Sequence, residues 1–133
     1  MNNQPKDAMT NPDQALESAI VAAGATKAPR ITPADIEVNI TSEHYFTAAN
    51  GADGAALENA PEGTVSVTYP VSLSLLTFCV LTLRNGFTVT GESACASPEN
   101  YNKAIGERIA RENAMAKIWP LMGYELRSKL AAG

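Results

Sequence analysis

The sequence predicts an α+β fold: N-terminal helices, then a central antiparallel β-hairpin sheet packed on a long C-terminal helix that is broken at Pro120. Three observations predict it. Asn85-Gly86 separates two runs rich in strand formers, 75–83 and 88–92, which is the strongest short-range hairpin signal. Ser97-Pro98-Glu99-Asn100 has the composition of a helix start, and Tyr101, Ile105 and Ile109 follow at i, i+4 spacing. Thr32-Pro33-Ala34-Asp35 has the same start chemistry, with cap, proline at the first position and acid in the first turn.

Residues 1–9 are polar and read as disordered. Thr10 or Asn11 caps a short helix carrying Leu16, Ala19, Ile20 and Ala23 on one face and ending at Gly24. Residues 25–31, with Pro29, read as a linker, so that 1–31 form an extension and 32–133 a compact α+β domain. Ile36 and Ile40 share a face of the second helix, and 43–47 is rich in strand formers. The alanine- and glycine-rich stretch 48–63 has no periodicity and reads as a flexible loop. The alternating residues 65–69 read as a short edge strand before Pro70.

In the hairpin, a type I′ turn sets Arg84 opposite Phe87. Leu76, Phe78, Val80, Phe87, Val89 and Cys95 then fall on one face, and Cys79, Leu81 and Leu83 on the other. A strand apolar on both faces is covered on both. The long helix, capped by Ser97, supplies one cover, and a second chain is the favoured source of the other. Gly106 lets that helix lie close to the sheet, at Gly91.

Composition excludes several functions. No apolar run approaches the roughly 20 residues that span a bilayer, and 1–10 has neither the basic start nor the apolar stretch of a signal peptide. The expected location is the cytoplasm, where Cys79 and Cys95 stay reduced. One histidine, His44, and no CxxC pair provide no zinc-ligand set, and no Gly-rich phosphate loop or nucleophile–base pair is visible. No metal or cofactor is implied, and the chain reads as a non-enzyme. The net charge of −4 argues against long nucleic acid as a partner. It hides an asymmetry, with −6 over residues 1–83 and +2 over 84–133.

The second half therefore holds the candidate ligand groups. Arg108 and Arg111, i and i+3 on the long helix with Lys103 and Lys117 nearby, form a cation cluster suited to phosphates, or else a self-paired solvated face. Asn100 and Tyr101 at the start of that helix have the chemistry to read and stack on a nucleobase, or else to cap the helix and fill the core. Arg84 and Phe87 flank the hairpin turn.

The segment 76–95, followed by Pro98-Glu99-Asn100-Tyr101 and Ile118-Trp119-Pro120-Leu121, closely resembles the gene 49/gene 66 family of small tailed-phage and prophage proteins. Residues 40–47 are similar too, and the likeness covers about 32–130. The family also resembles the phage sponge proteins that defeat Thoeris immunity. That resemblance implies an oligomer that sequesters a cyclic ADP-ribose isomer, or a cyclic oligonucleotide, without cleaving it. It places Asn100 and Lys117 in the pocket with Thr90 beside them, in the host cytoplasm. Thr90 is small where a stacking aromatic is expected, and the acidic N-terminal extension is not part of the pattern. The alternative reading is a phage accessory protein that binds and inhibits a host protein through its acidic first half.

Overall fold

The computed structural model describes residues 12–64 and 67–133. The stretch 1–9, the cap positions Thr10 and Asn11, and Val65 and Ser66 lie outside the described residues. The elements are α1 (Pro12–Ala22), α2 (Pro33–Asn39), β1 (Ile40–Thr47), α3 (Ala48–Asn59), a 3-10 turn at Val71–Leu75, β2 (Leu76–Leu83), β3 (Thr88–Ala94), a second 3-10 turn at Pro98–Asn100, and α4 (Lys103–Ala132). The fold is α+β, with a three-stranded antiparallel sheet in the order β1-β2-β3 and a long C-terminal helix.

The chain divides into two compact units. One holds β1 through Ile118. The other holds the chain up to Asn39 together with Trp119–Gly133.

In the larger unit, the strands alternate as half-buried sheets do. Burial along β2 switches strictly between half-buried and buried. Thr77, Cys79, Leu81 and Leu83 point inward, joined from β3 by Val89 and Gly91. α4 supplies the opposing surface through Gly106, Ala110, Ala114 and Ile118, an unbroken i, i+4 stripe. Small residues dominate it because the backbones touch: a Cβ at Gly106 would meet the Thr77 hydroxyl at 3.1 Å, and one at Gly91 would run into the backbone of Ala110 and Ala114. Both glycines are close-approach points, but they serve two contacts rather than facing each other. The expected stripe of Tyr101, Ile105 and Ile109 is not the core face, since Ile105 and Ile109 are exposed.

The hairpin turn differs from the expected one. Gly86 has φ +89°, while no residue other than glycine has positive φ among the described residues, so Asn85 does not take the conformation a type I′ turn requires. The Gly86 N–H donates to the Leu83 carbonyl (2.9 Å), and the Leu83 N–H donates to the Phe87 carbonyl (2.8 Å). The connection is thus three residues, Arg84-Asn85-Gly86, a turn followed by a left-handed glycine. Leu83, not Arg84, stands opposite Phe87. The pairing moves by one residue, which brings Val89 onto the buried face with Cys79 and Leu81. The assignment of Cys95 to the face opposite Cys79 falls with it. Both cysteines are free thiols.

Four further expectations are corrected. Residues 48–59 are helix, not flexible loop. Thr47 accepts from the Asn50 N–H (3.1 Å) while Asn50 Oδ1 accepts from the Thr47 N–H (2.9 Å), a reciprocal cap that starts a helix in an alanine-rich segment with little amphipathic pattern. Residues 67–69 form no strand. The long helix begins after Asn102, whose side chain accepts from the Ile105 N–H (3.0 Å), so Asn100, at the end of a separate 3-10 turn, and the extended Tyr101 both precede it. Pro120 does not break α4: it sits inside a continuous 30-residue helix. It costs the helix one N–H donor, and the helix runs on through it.

In the smaller unit, α2 opens with the expected box: Thr32 and Asp35 exchange hydrogen bonds of 2.9 and 3.1 Å. Ile36 is fully buried, whereas α1 buries no residue. Two polar clamps hold α1. Arg30 grips Glu17 through both carboxylate oxygens (2.8 and 2.7 Å), and the Trp119 indole N–H donates to Asp13 (2.9 Å). Between the clamps lies a cleft of about 270 Å³, with Leu16, Ile20 and Ile31 on its walls.

Candidate functional site

β1 pairs with β2 so that Tyr45 faces Cys79 and Glu43 faces Leu81, which places these two side chains on the helix-bearing side of the sheet. A polar network forms there. Arg111 of α4 reaches Glu43 with two parallel hydrogen bonds, Nε–Oε1 at 2.9 Å and Nη2–Oε2 at 3.0 Å, and the Tyr45 hydroxyl donates to the same carboxylate (2.8 Å). The Arg111 guanidinium holds the Glu43 carboxyl below the ordinary carboxylate range. Burial, and then the hydrogen bond to Glu43, push the Tyr45 phenol well above its usual value, and burial also raises the Cys79 thiol. The network is paired and structural in character.

The outer face of the sheet has a different chemistry. Phe46, Phe78 and Glu92 share one cross-strand row, His44, Val80 and Thr90 the next, and Ser42, Thr82 and Thr88 the third. Phe46 is 40% exposed, and its ring lies 5.8 Å from that of Phe78 at 36°. His44, Thr88, Thr90 and Glu92 are exposed, while Leu76, Phe78 and Val80 are only half-buried. The result is an apolar, partly aromatic centre between two rims of hydroxyl and ionisable groups.

The residues singled out from the sequence do not converge in one chain. Thr90 lies on the outer face, because its neighbour Gly91 points at α4. Arg111 lies on the helix-bearing side, paired with Glu43, and Arg108 pairs with Glu112 (3.3 Å), so both arginines of the cation cluster are engaged with carboxylates. Tyr101 is half-buried with its hydroxyl 3.5 Å from Thr77 Oγ1, a core position. Asn100 and Lys117 are exposed. Arg84 and Phe87 flank the turn, Phe87 54% exposed with its N–H donating to Asn85 Oδ1 (3.0 Å). Arg84 follows the Leu83 end of β2, whereas Asn100 follows the Ala94 end of β3, which pairs with Leu76. An eight-residue strand of roughly 27 Å lies between those two ends of the sheet.

Nothing local in the sequence marks Phe46 and His44 as ligand groups. The signal that finds them is the β1–β2 register, which sets Phe46 beside Phe78. It supplies an aromatic surface on the face of Thr90, the position where the sequence lacks one.

Residues 31–130, 100 of the 133 in the chain, match the model of the phage protein family described as N4 Gp49/phage Sf6 gene 66. The chain belongs to that family. The match begins just before the capped start of α2 and ends near the close of α4, so this phage family takes in the sheet, its packing helix and both sides of the outer face. No curated protein and no solved structure matches the chain. Among the described residues no helix is long and apolar enough to cross a membrane, and no group of three or more His, Cys, Asp or Glu is placed to hold a metal ion.

Proposed function

We propose that this phage protein is a sponge: it binds a cyclic nucleotide immune signal, a cyclic ADP-ribose isomer or a cyclic oligonucleotide, and withholds it intact as an oligomer in the host cytoplasm. The observation that carries the reading is the outer face of the sheet. Exposed Phe46 in ring contact with Phe78, beside the hydroxyls of Thr90, Thr82 and Thr88, matches the way aromatic residues on an open antiparallel sheet hold nucleobases. Each base stacked in this manner contributes ~1–3 kcal/mol. The ligand class comes from the resemblance of the family, read from the sequence, to phage proteins that defeat Thoeris immunity.

The test is direct. The purified protein is incubated with cyclic ADP-ribose isomers and a panel of cyclic di- and trinucleotides, separated from free ligand, and denatured, and the released ligand is weighed by mass spectrometry. Recovery of an intact member of the panel is the expected result. Retention of none overturns the reading, and recovery of a cleaved product replaces the sponge with an enzyme.

A further inference from the structure

The cleft of the smaller unit has a chemistry that the sheet lacks. Every residue lining it belongs to that unit. α1 has an apolar stripe, yet it buries no residue. Leu16 stays 60% exposed and Ile20 half-buried, because they stand over an open cleft of about 270 Å³ rather than over a core. Ile31, Pro33 and the Trp119 indole complete the lining. The two polar clamps tie α1 down at Asp13 and Glu17, so the space between them is preformed, as ligand pockets usually are.

The charges around this space do not cancel. The Arg30 guanidinium gives a hydrogen bond to each oxygen of Glu17 (2.8 and 2.7 Å), which neutralises that carboxylate. Asp13 has no such counterpart. One of its oxygens accepts the Trp119 indole N–H (2.9 Å), a neutral donor, and among the described residues it forms no ion pair. The cleft therefore combines apolar walls, an indole and one carboxylate whose charge is unmatched.

We infer that this cleft binds a small organic cation with an apolar body, an alkyl- or arylammonium. Its N–H donors reach Asp13, and its body lies against Trp119, Leu16 and Ile20. Each half of such a molecule meets the chemistry it needs. A cation is drawn to a carboxylate by charge-assisted hydrogen bonds, and to indole more than to any other aromatic ring. The apolar body gains by leaving water for the walls. The volume lies just under the ~300 Å³ at which drug-sized pockets begin, so the ligand is small. The same carboxylate repels phosphates, so the cleft is no second nucleotide site and its fate is independent of the sponge.

Trp119, the one tryptophan, lines the cleft and reports on it. The full chain is titrated at neutral pH with hexylamine, hexanol and hexanoate, which match in length and are cationic, neutral and anionic. N-acetyltryptophanamide controls for collisional quenching. Hexylamine is expected to give a saturable fluorescence change with a midpoint of about 1 mM, a range open to a ligand of so few atoms. Hexanol should bind more weakly and hexanoate not at all. Asp13→Asn keeps an acceptor for the indole and removes the charge. It should weaken hexylamine about fivefold or more and leave hexanol unchanged. Leu16→Ala, at an exposed position, should weaken both. A hexylamine response that does not saturate, or one no stronger than that of hexanol, overturns the site, and this comparison needs no variant. Undiminished hexylamine binding in Asp13→Asn overturns the assignment of the cation to that carboxylate.

Discussion

A Cβ placed on Gly91 would lie 2.2 Å from the carbonyl oxygen of Ala110, so β3 and α4 meet backbone to backbone. Overpacking a core by a methyl group costs typically 1–3 kcal/mol, and here the obstacle is main chain that cannot rotate aside. Gly91→Ala is therefore expected to destabilise by about 3 kcal/mol or more in urea unfolding. Gly106→Ala meets only the Thr77 hydroxyl, at 3.1 Å, and gains roughly 1 kcal/mol of helix propensity. It should be close to neutral, and a large loss there would show the contact to be tighter than the geometry indicates.

The Glu43–Arg111 pair predicts an acid-dependent stability. The carboxyl's folded value lies below its unfolded value of 4.5, so its contribution is complete above that pH and drains away as pH falls through the lower, folded value. Unfolding midpoints should be flat from pH 7 to about 5 and drop below 4.5. In Glu43→Gln the drop should be shallower and the plateau lower. A parallel curve for the variant would remove the pair from the acid transition.

The start of α3 depends on Thr47 and Asn50, because little apolar periodicity helps it. Thr47→Ala removes one side of the reciprocal cap and should cost about 1 kcal/mol. Amide exchange should quicken first in 48–52.

Trp119 is the one tryptophan of the chain, and its indole N–H is bound by Asp13. Asp13→Ala should shift its fluorescence to the red as that end of α1 loosens. Asp13→Asn retains an acceptor and should shift it less.

Phe46 carries the proposed stacking surface. Phe46→Ala should weaken retention of a cyclic nucleotide by about 5- to 150-fold, the equivalent of 1–3 kcal/mol. Phe46→Tyr should keep most of it. Asn100→Ala, at an exposed turn away from that face, is expected to change retention less than Phe46→Ala does.

What could be read beforehand follows from where the physics is local. The capped start at Thr32–Asp35 and the two strands around Asn85-Gly86 are written in neighbouring residues, and they hold; both glycines are close-approach points, but Gly106 meets Thr77 and not Gly91. The stretch 48–59 was illegible because alanine and glycine leave no apolar stripe, and its helix rests on a cap whose partners are three residues apart. The stripe of Tyr101, Ile105 and Ile109 misled because a helix lying against glycine uses its small residues, Gly106, Ala110 and Ala114, as the contact face. The site was the least legible part. Phe46 and Phe78 are 32 positions apart, and only strand register brings them together.

The three-residue connection at Arg84-Asn85-Gly86 has a consequence beyond the turn itself. In a sheet, a one-residue slip of the pairing register reverses which side chains look inward, and this turn is what holds Leu83 opposite Phe87. If Phe87 paired with Arg84 instead of Leu83, the strand would have to bury Thr88 and Thr90 and show Val89 to solvent, with no letter altered. Pairing register at this one turn, rather than any single side chain, decides which of the two surfaces of the hairpin the protein shows to solvent.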